Sequence, residues 1–181
     1  MKRIICVLAC TFIVMSLMGQ SPKKVLKKLG NNPVFFIDSI NVDNTDLQKY
    51  DPREIAQVTV YKGKEAEALL GEDGKDGVVY IFTVKYCRNK YWNFFKSKSE
   101  EYSRIVKTPE SDSAVQYILN KRVLTDDFEG DLFLIDDTTF NGIKFLDGET
   151  LEKEFKITGK KYGFHITSDV PANLYKGKKK F

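Results

Sequence analysis

One order of short segments runs from residue 35 to residue 83 and returns from residue 117 to residue 168, and this recurrence limits the fold more than any other feature of the chain. In the first span, Val34–Asp38 (VFFID) is an apolar and aromatic run after Pro33 that reads as a buried strand. Leu47–Pro52 reads as a turn or a single helical turn, and Gln57–Tyr61 as a second strand. Lys64–Leu70 (KEAEALL) is rich in helix formers, with Ala66, Leu69 and Leu70 on one side. Gly71, Gly74 and Gly77 then punctuate a polar turn before Val78–Val84 (VVYIFTV), a β-branched and aromatic strand.

In the second span the corresponding segments are Tyr117–Asn120 with Val123-Leu124, a strand at Leu132–Asp136 (LFLID), a helix at Glu149–Phe155, a turn from Gly159 to Gly163 and a strand at Phe164–Ser168. A second register is open, in which FLID at 133–136 pairs directly with FFID at 35–38 and the second unit is shorter. Between the spans, Trp92, Phe95, Tyr102 and Ile105 or Val106 fall at helical spacing, which predicts an amphipathic linking helix ending at a Pro109–Asp112 boundary. A pattern used twice points to a supersecondary unit used twice. The expected architecture is α+β: two tandem small units at 20–85 and 113–170, each a short mixed sheet with a helix packed on it, joined by a helical linker at 86–112.

The first nineteen residues carry a different signal. Lys2 and Arg3 precede an almost wholly apolar Ile4–Met18, the two-part pattern of a secretion signal. The run is short of the roughly 20 apolar residues that span a bilayer. Cleavage is expected between Gly19 and Gln20; the competing lipoprotein reading places Cys10 after Val7-Leu8-Ala9 but leaves an apolar Thr11–Met18 behind the cut. An exported chain of 162 residues remains, periplasmic, outer-membrane-associated or secreted, with no further membrane segment. It retains Cys87 alone of three cysteines, so an internal disulfide is ruled out and stability must come from the core. Its 27 basic and 25 acidic residues nearly cancel, which gives no strong pull toward nucleic acid. Basic clusters bracket it: Lys23-Lys24 with Lys27-Lys28, and Lys176 with Lys178–Lys180 in a tail over 171–181.

Three strings of the first unit, NPVFFID at 32–38, DPREIAQVTVYKG at 51–63 and EALLGEDGKDGVVYIFT at 67–83, together resemble the plug domain of TonB-dependent outer-membrane receptors of the glycan-importing kind. The matching residues are Pro33, Ile37 and Asp38; Ile55, Val58, Val60, Lys62 and Gly63; and Gly71, Gly74, Gly77, Val78 and Ile81. The second unit keeps Gly159, Gly163 and the strand after them. The chain lacks the long series of alternating strands a barrel needs, so the resemblance implies a free-standing plug-like module and not a transporter. It implies an envelope protein or outer-membrane receptor, or a glycan, as partner, and no cofactor.

The remaining motifs carry little chemistry. Gly71–Gly77 follows a helix and precedes a strand, the reverse of a phosphate-binding loop, and lacks the Gly-Lys-Ser/Thr ending. Glu72, Asp73 and Asp76, or Asp43, Asn44 and Asp46, offer oxygen ligands for calcium without the spacing of a known loop. His165, the sole histidine, could serve Cys87 as base only across the two units. Asp126-Asp127 and Asp136-Asp137 are adjacent, and neighbours in a strand face opposite ways. The candidate binding surface is therefore the aromatic stretch Tyr91, Trp92 and Phe95 with the glycines Gly71, Gly74 and Gly77. A non-enzymatic binding module is the leading expectation. Its competitor, a secreted hydrolase without recognisable motif, would show converging acids or a Cys87–His165 pair in the deepest pocket.

Overall fold

The computed structural model describes residues 29–171. The expectations placed on the leader, on the lysines at 23–28 and on the tail beyond Pro171 lie outside the described residues. The first unit runs β1 (Val34–Ile37), β2 (Ile40–Val42), β3 (Ile55–Tyr61), α1 (Lys64–Leu70) and β4 (Val78–Thr83). Two helices follow, α2 (Val84–Lys98) and α3 (Glu100–Ile105). The second unit runs β5 (Val115–Leu119), β6 (Arg122–Val123), α4 (Glu129–Phe133), β7 (Phe140–Asp147), α5 (Gly148–Phe155) and β8 (Tyr162–Ser168).

The two sheets have one topology, β2-β1-β4-β3 and β6-β5-β8-β7. In each, an antiparallel hairpin joins a central parallel pair, and the last pair is antiparallel. Register carries the likeness to single residues. Phe35 pairs with Val79 and Ile37 with Ile81, as Tyr117 pairs with Phe164 and Leu119 with Ile166. Phe35 thus corresponds to Tyr117, and Ile81 to Ile166. The bulge between Ile55 and Gln57, opposite Thr83 and Phe82, returns between Phe140 and Gly142, opposite Ser168 and Thr167.

The same device ties each hairpin to its neighbouring strand. Asp38 and Ser39 have φ of 50° and 72°, the two left-handed positions of a primed two-residue turn. The Asp38 N–H donates to the Ile81 carbonyl at 2.9 Å. Its carboxylate accepts from the Thr83 N–H at 2.8 Å and the Thr83 hydroxyl at 2.7 Å. In the second unit Asn120, at φ 54°, donates its N–H to the Ile166 carbonyl at 2.8 Å. Its side chain accepts from the Ser168 N–H and donates to the Ser168 carbonyl, each at 3.0 Å.

Two expectations are corrected. LFLID at 132–136 is not a strand: its first two residues close α4, with Leu132 fully buried there and Ile135, just beyond the helix, nearly so. The strand of that unit is Phe140–Asp147, and with the strand orders concordant the FLID-to-FFID register falls away. The stretch at 86–112 is also more than a linker. Tyr91 and Phe95 of α2, Tyr102 of α3 and Leu132 of α4 form one apolar cluster with Tyr117, Leu119, Phe164 and Ile166 of the second sheet. The opposite face of that sheet, with Ile118 and Leu146, is covered by Leu151 and Phe155 of α5.

In the first sheet, Phe35, Ile37, Val79 and Ile81 pack against Leu47 and Tyr50. The units meet where α4 lies against β3: a Cβ on Gly130 would stand 2.4 Å from the Ala56 carbonyl oxygen. Beside it Phe133 packs on Phe82, ring centroids 4.7 Å apart. Among the described residues no helix is long and apolar enough to cross a membrane.

Candidate functional site

Strand alternation sends Phe35 and Ile37 into the core and Val34 and Phe36 to the other face of the first sheet, and it divides β4 likewise. Register then places Phe36 beside Tyr80. Their rings stack at 4.8 Å and 12°, Tyr61 meets Tyr80 edge-on at 5.9 Å, and Phe82 continues the row at 6.2 Å. Phe133 closes the Phe82 end. The Phe36 end opens into a cleft of about 570 Å³, floored by Val34, Phe36 and Leu70 and rimmed by Glu72, Asp73 and Asp76.

The glycine loop builds that rim. Gly71 takes φ 62°, ψ −142°, a conformation essentially reserved for glycine, at the end of α1. Gly74 lies so close under the helix that a Cβ would stand 2.2 Å from the Ala66 carbonyl oxygen. Asp76 fixes the incoming chain: its carboxylate accepts from the Asn32 N–H at 3.0 Å, and its carbonyl from the Gly30 N–H at 2.8 Å. Glu72 and Asp73 are exposed, so neither sits in the apolar surroundings that a general acid for glycoside hydrolysis requires.

The structure separates the aromatic candidates from the glycines. Tyr91 and Phe95 are 1% and 0% exposed, so they are core residues of the second unit and are withdrawn as binding surface. Trp92 is half-buried; its indole N–H donates to the Val106 carbonyl at 2.8 Å, and the Lys96 ammonium lies 4.5 Å from its ring. The cleft takes none of the three into its wall. Of the predicted set, Gly71, Gly74 and Gly77 shape the cleft loop. Sequence reading missed Phe36 and Tyr80, although period-two alternation within VFFI and VVYIFT already sets them opposite the core residues.

A buried polar cluster stands behind a second cleft, of about 540 Å³, where β4 runs into α2 with Asp38, Thr83, Lys85 and Arg88 in its wall. The Tyr91 hydroxyl donates to Asp112. Arg88 Nη2 donates to Glu129 at 2.7 Å, and its Nε stands 3.5 Å from Asp112. Burial raises the Asp112 pKa, opposed by Tyr91 and Arg88, and burial with the neighbouring Asp112 charge holds the Tyr91 phenol up.

The remaining candidates have structural duties. Cys87 is fully buried, and its thiol is pushed up to about 12 by burial and by the Asp38 and Glu129 charges, the opposite of an activated nucleophile. His165 Nε2 lies 2.6 Å from the Asn120 carbonyl oxygen in the second unit. Asp136 is held low mainly by the Thr138 hydroxyl, Asp137 pairs with Lys98, and Asp127 is a left-handed turn residue. Among the described residues no group of three His, Cys, Asp or Glu is placed to hold a metal ion. Comparison of the chain with protein-family models, with curated proteins and with solved structures gives no match.

Proposed function

We propose that this chain is an exported, non-enzymatic interaction module of the cell envelope, resembling a receptor plug domain without its barrel. The observation that carries the reading is the cleft between the glycine loop and Phe36: open, floored by Val34, Phe36 and Leu70 and polar-rimmed, on a body whose second sheet is packed on both faces. Such a surface suits recognition, because an apolar floor supplies contact area and a few polar groups set orientation. Among the described residues β2 ends the first sheet, and with Asn41 in the cleft wall it offers a backbone edge beside it.

The test is in-cell crosslinking of the chain carrying a C-terminal tag, with envelope fractionation and mass spectrometry of the captured material. Reproducible enrichment of one outer-membrane receptor or one exported protein is expected. Recovery of the chain alone, as a free monomer, would remove the reading.

A further inference from the structure

The two units are alike in topology and register, so a position open in one and filled in the other is informative. From β3 to the end of β4 each residue corresponds to the one 85 positions later, as Val58–Ile81 and Ile143–Ile166 are equivalent pairs. By that correspondence Ala66 of α1 matches Leu151 of α5, and both are fully buried. Glu72 matches Ile157, which packs into the cluster of Ile118, Leu146 and Leu151. The second unit therefore fills with Ile157 the place where the first holds the cleft-wall carboxylate Glu72, whereas Ala66 is packed under Gly74. The charge also reverses: Glu72, Asp73 and Asp76 face a single Lys75 in the first loop, whereas the second carries Lys156, Lys160 and Lys161 with no acid. Beside this cleft runs β2, an end strand of its sheet among the described residues, with Asn41 in the cleft wall and Ile40 69% exposed.

We infer that the cleft of the first unit takes an extended, cationic segment of a partner protein, laid along the free edge of β2. An apolar side chain of the segment rests on Phe36 and Leu70, and a lysine or arginine reaches Glu72 and Asp73. Strand addition satisfies the open backbone groups of β2 and gives affinity; the side-chain alternation of an extended peptide gives specificity. The acidic rim steers the cationic partner and rejects anionic ones. This rests on the interaction-module reading and names the partner chemistry of its cleft.

The test uses the chain from Gln20 onward and fluorescence anisotropy of three labelled heptapeptides: leucine-serine-lysine-serine-leucine-serine-lysine, which sets leucine and lysine on one face of an extended chain, the same with glutamate for lysine, and the lysine peptide N-methylated on alternate backbone amides. The lysine peptide is expected to bind and the glutamate peptide not. In the double variant Glu72→Gln with Asp73→Asn, both exposed positions, affinity is expected to fall by roughly tenfold, since exposed ion pairs contribute modestly. The same loss is expected for wild type at about 0.5 M salt, and the N-methylated peptide is expected to bind more weakly. Equal affinity for the double variant, binding of the glutamate peptide, or full-strength binding of the N-methylated peptide would each overturn the inference. If the crosslinked partner is captured equally by wild type and the double variant, the module reading survives and this inference does not.

Discussion

Asp38 gives the sharpest test of the correspondence between the units. Its carboxylate accepts two hydrogen bonds from Thr83, which is itself the cap of α2 through a bond from the Tyr86 N–H at 3.1 Å. Removing a charged acceptor from a part-buried donor pair costs about 1.5–3 kcal/mol per bond in a fully buried setting, and partial exposure reduces the pair to about 3 kcal/mol in total. Alanine adds roughly 1 kcal/mol for the left-handed backbone, which glycine avoids. Asp38→Ala is therefore expected to cost about 4 kcal/mol and Asp38→Gly about 3, a fall in Tm of roughly 8–16 °C for alanine at this chain length.

Asp38→Asn reproduces what Asn120 does with Ser168 and should stay within about 1 kcal/mol of wild type. Urea unfolding followed by circular dichroism and by the fluorescence of Trp92, the sole tryptophan, measures all three. An asparagine variant as weak as alanine would show that charge, not the shared geometry, holds the turn. An alanine variant within about 1 kcal/mol of wild type would refute the argument altogether.

Cys87 should resist alkylation by iodoacetamide at about pH 8 in the folded chain and react at once in denaturant, because burial keeps its thiol protonated; mass spectrometry distinguishes the two. Because the folded pKa of Asp112 is raised above 3.8, its favourable contribution is complete below that value and is lost as pH climbs through the raised pKa. Asp112→Asn, which stays neutral and still accepts from Tyr91, should therefore gain on wild type in Tm as pH rises from about 4 to about 7, and a constant difference would contradict this. Gly130→Ala drives a methyl into the Ala56 carbonyl where the units meet and should cost about 2 kcal/mol by overpacking, read as a lower urea midpoint; an unchanged midpoint would mean that the contact is loose.

Much of the first unit was legible because local chemistry and tertiary packing agree there. KEAEALL is a good helix sequence closed by a glycine and observed as α1, and VVYIFT is observed as β4. Leu132–Asp136 misled because a short apolar run has no period of its own, and a buried helical turn looks like a buried strand. The true strand, FNGIKFLD, was masked by Asn141, Gly142 and Lys144 and by a bulge that breaks its alternation. The aromatic stretch of α2 was correctly placed on a helix, yet its spacing could not say which core it fills: the partners of Tyr91 and Phe95 come from β5 and β8 of the second unit. The cleft has Glu72 in its wall where the counterpart Ile157 packs into a core, which becomes visible only once the two units are set in register.

The helix that Thr83 caps leaves the chain's pattern and its folded body out of phase. By strand order the copies are 34–83 and 115–168, with α2 and α3 between them as a spacer. By packing, those helices belong to the second copy, while the cap of α2 is held by Asp38 of the first. A break after β4 would strip the second core of its helix cap, and a break after α3 would strip that core of Tyr91, Phe95 and Tyr102. Either copy expressed by itself, cut at the boundary its symmetry suggests, should behave as a fragment. The doubling belongs to the order of the strands, and the packed body that results is single.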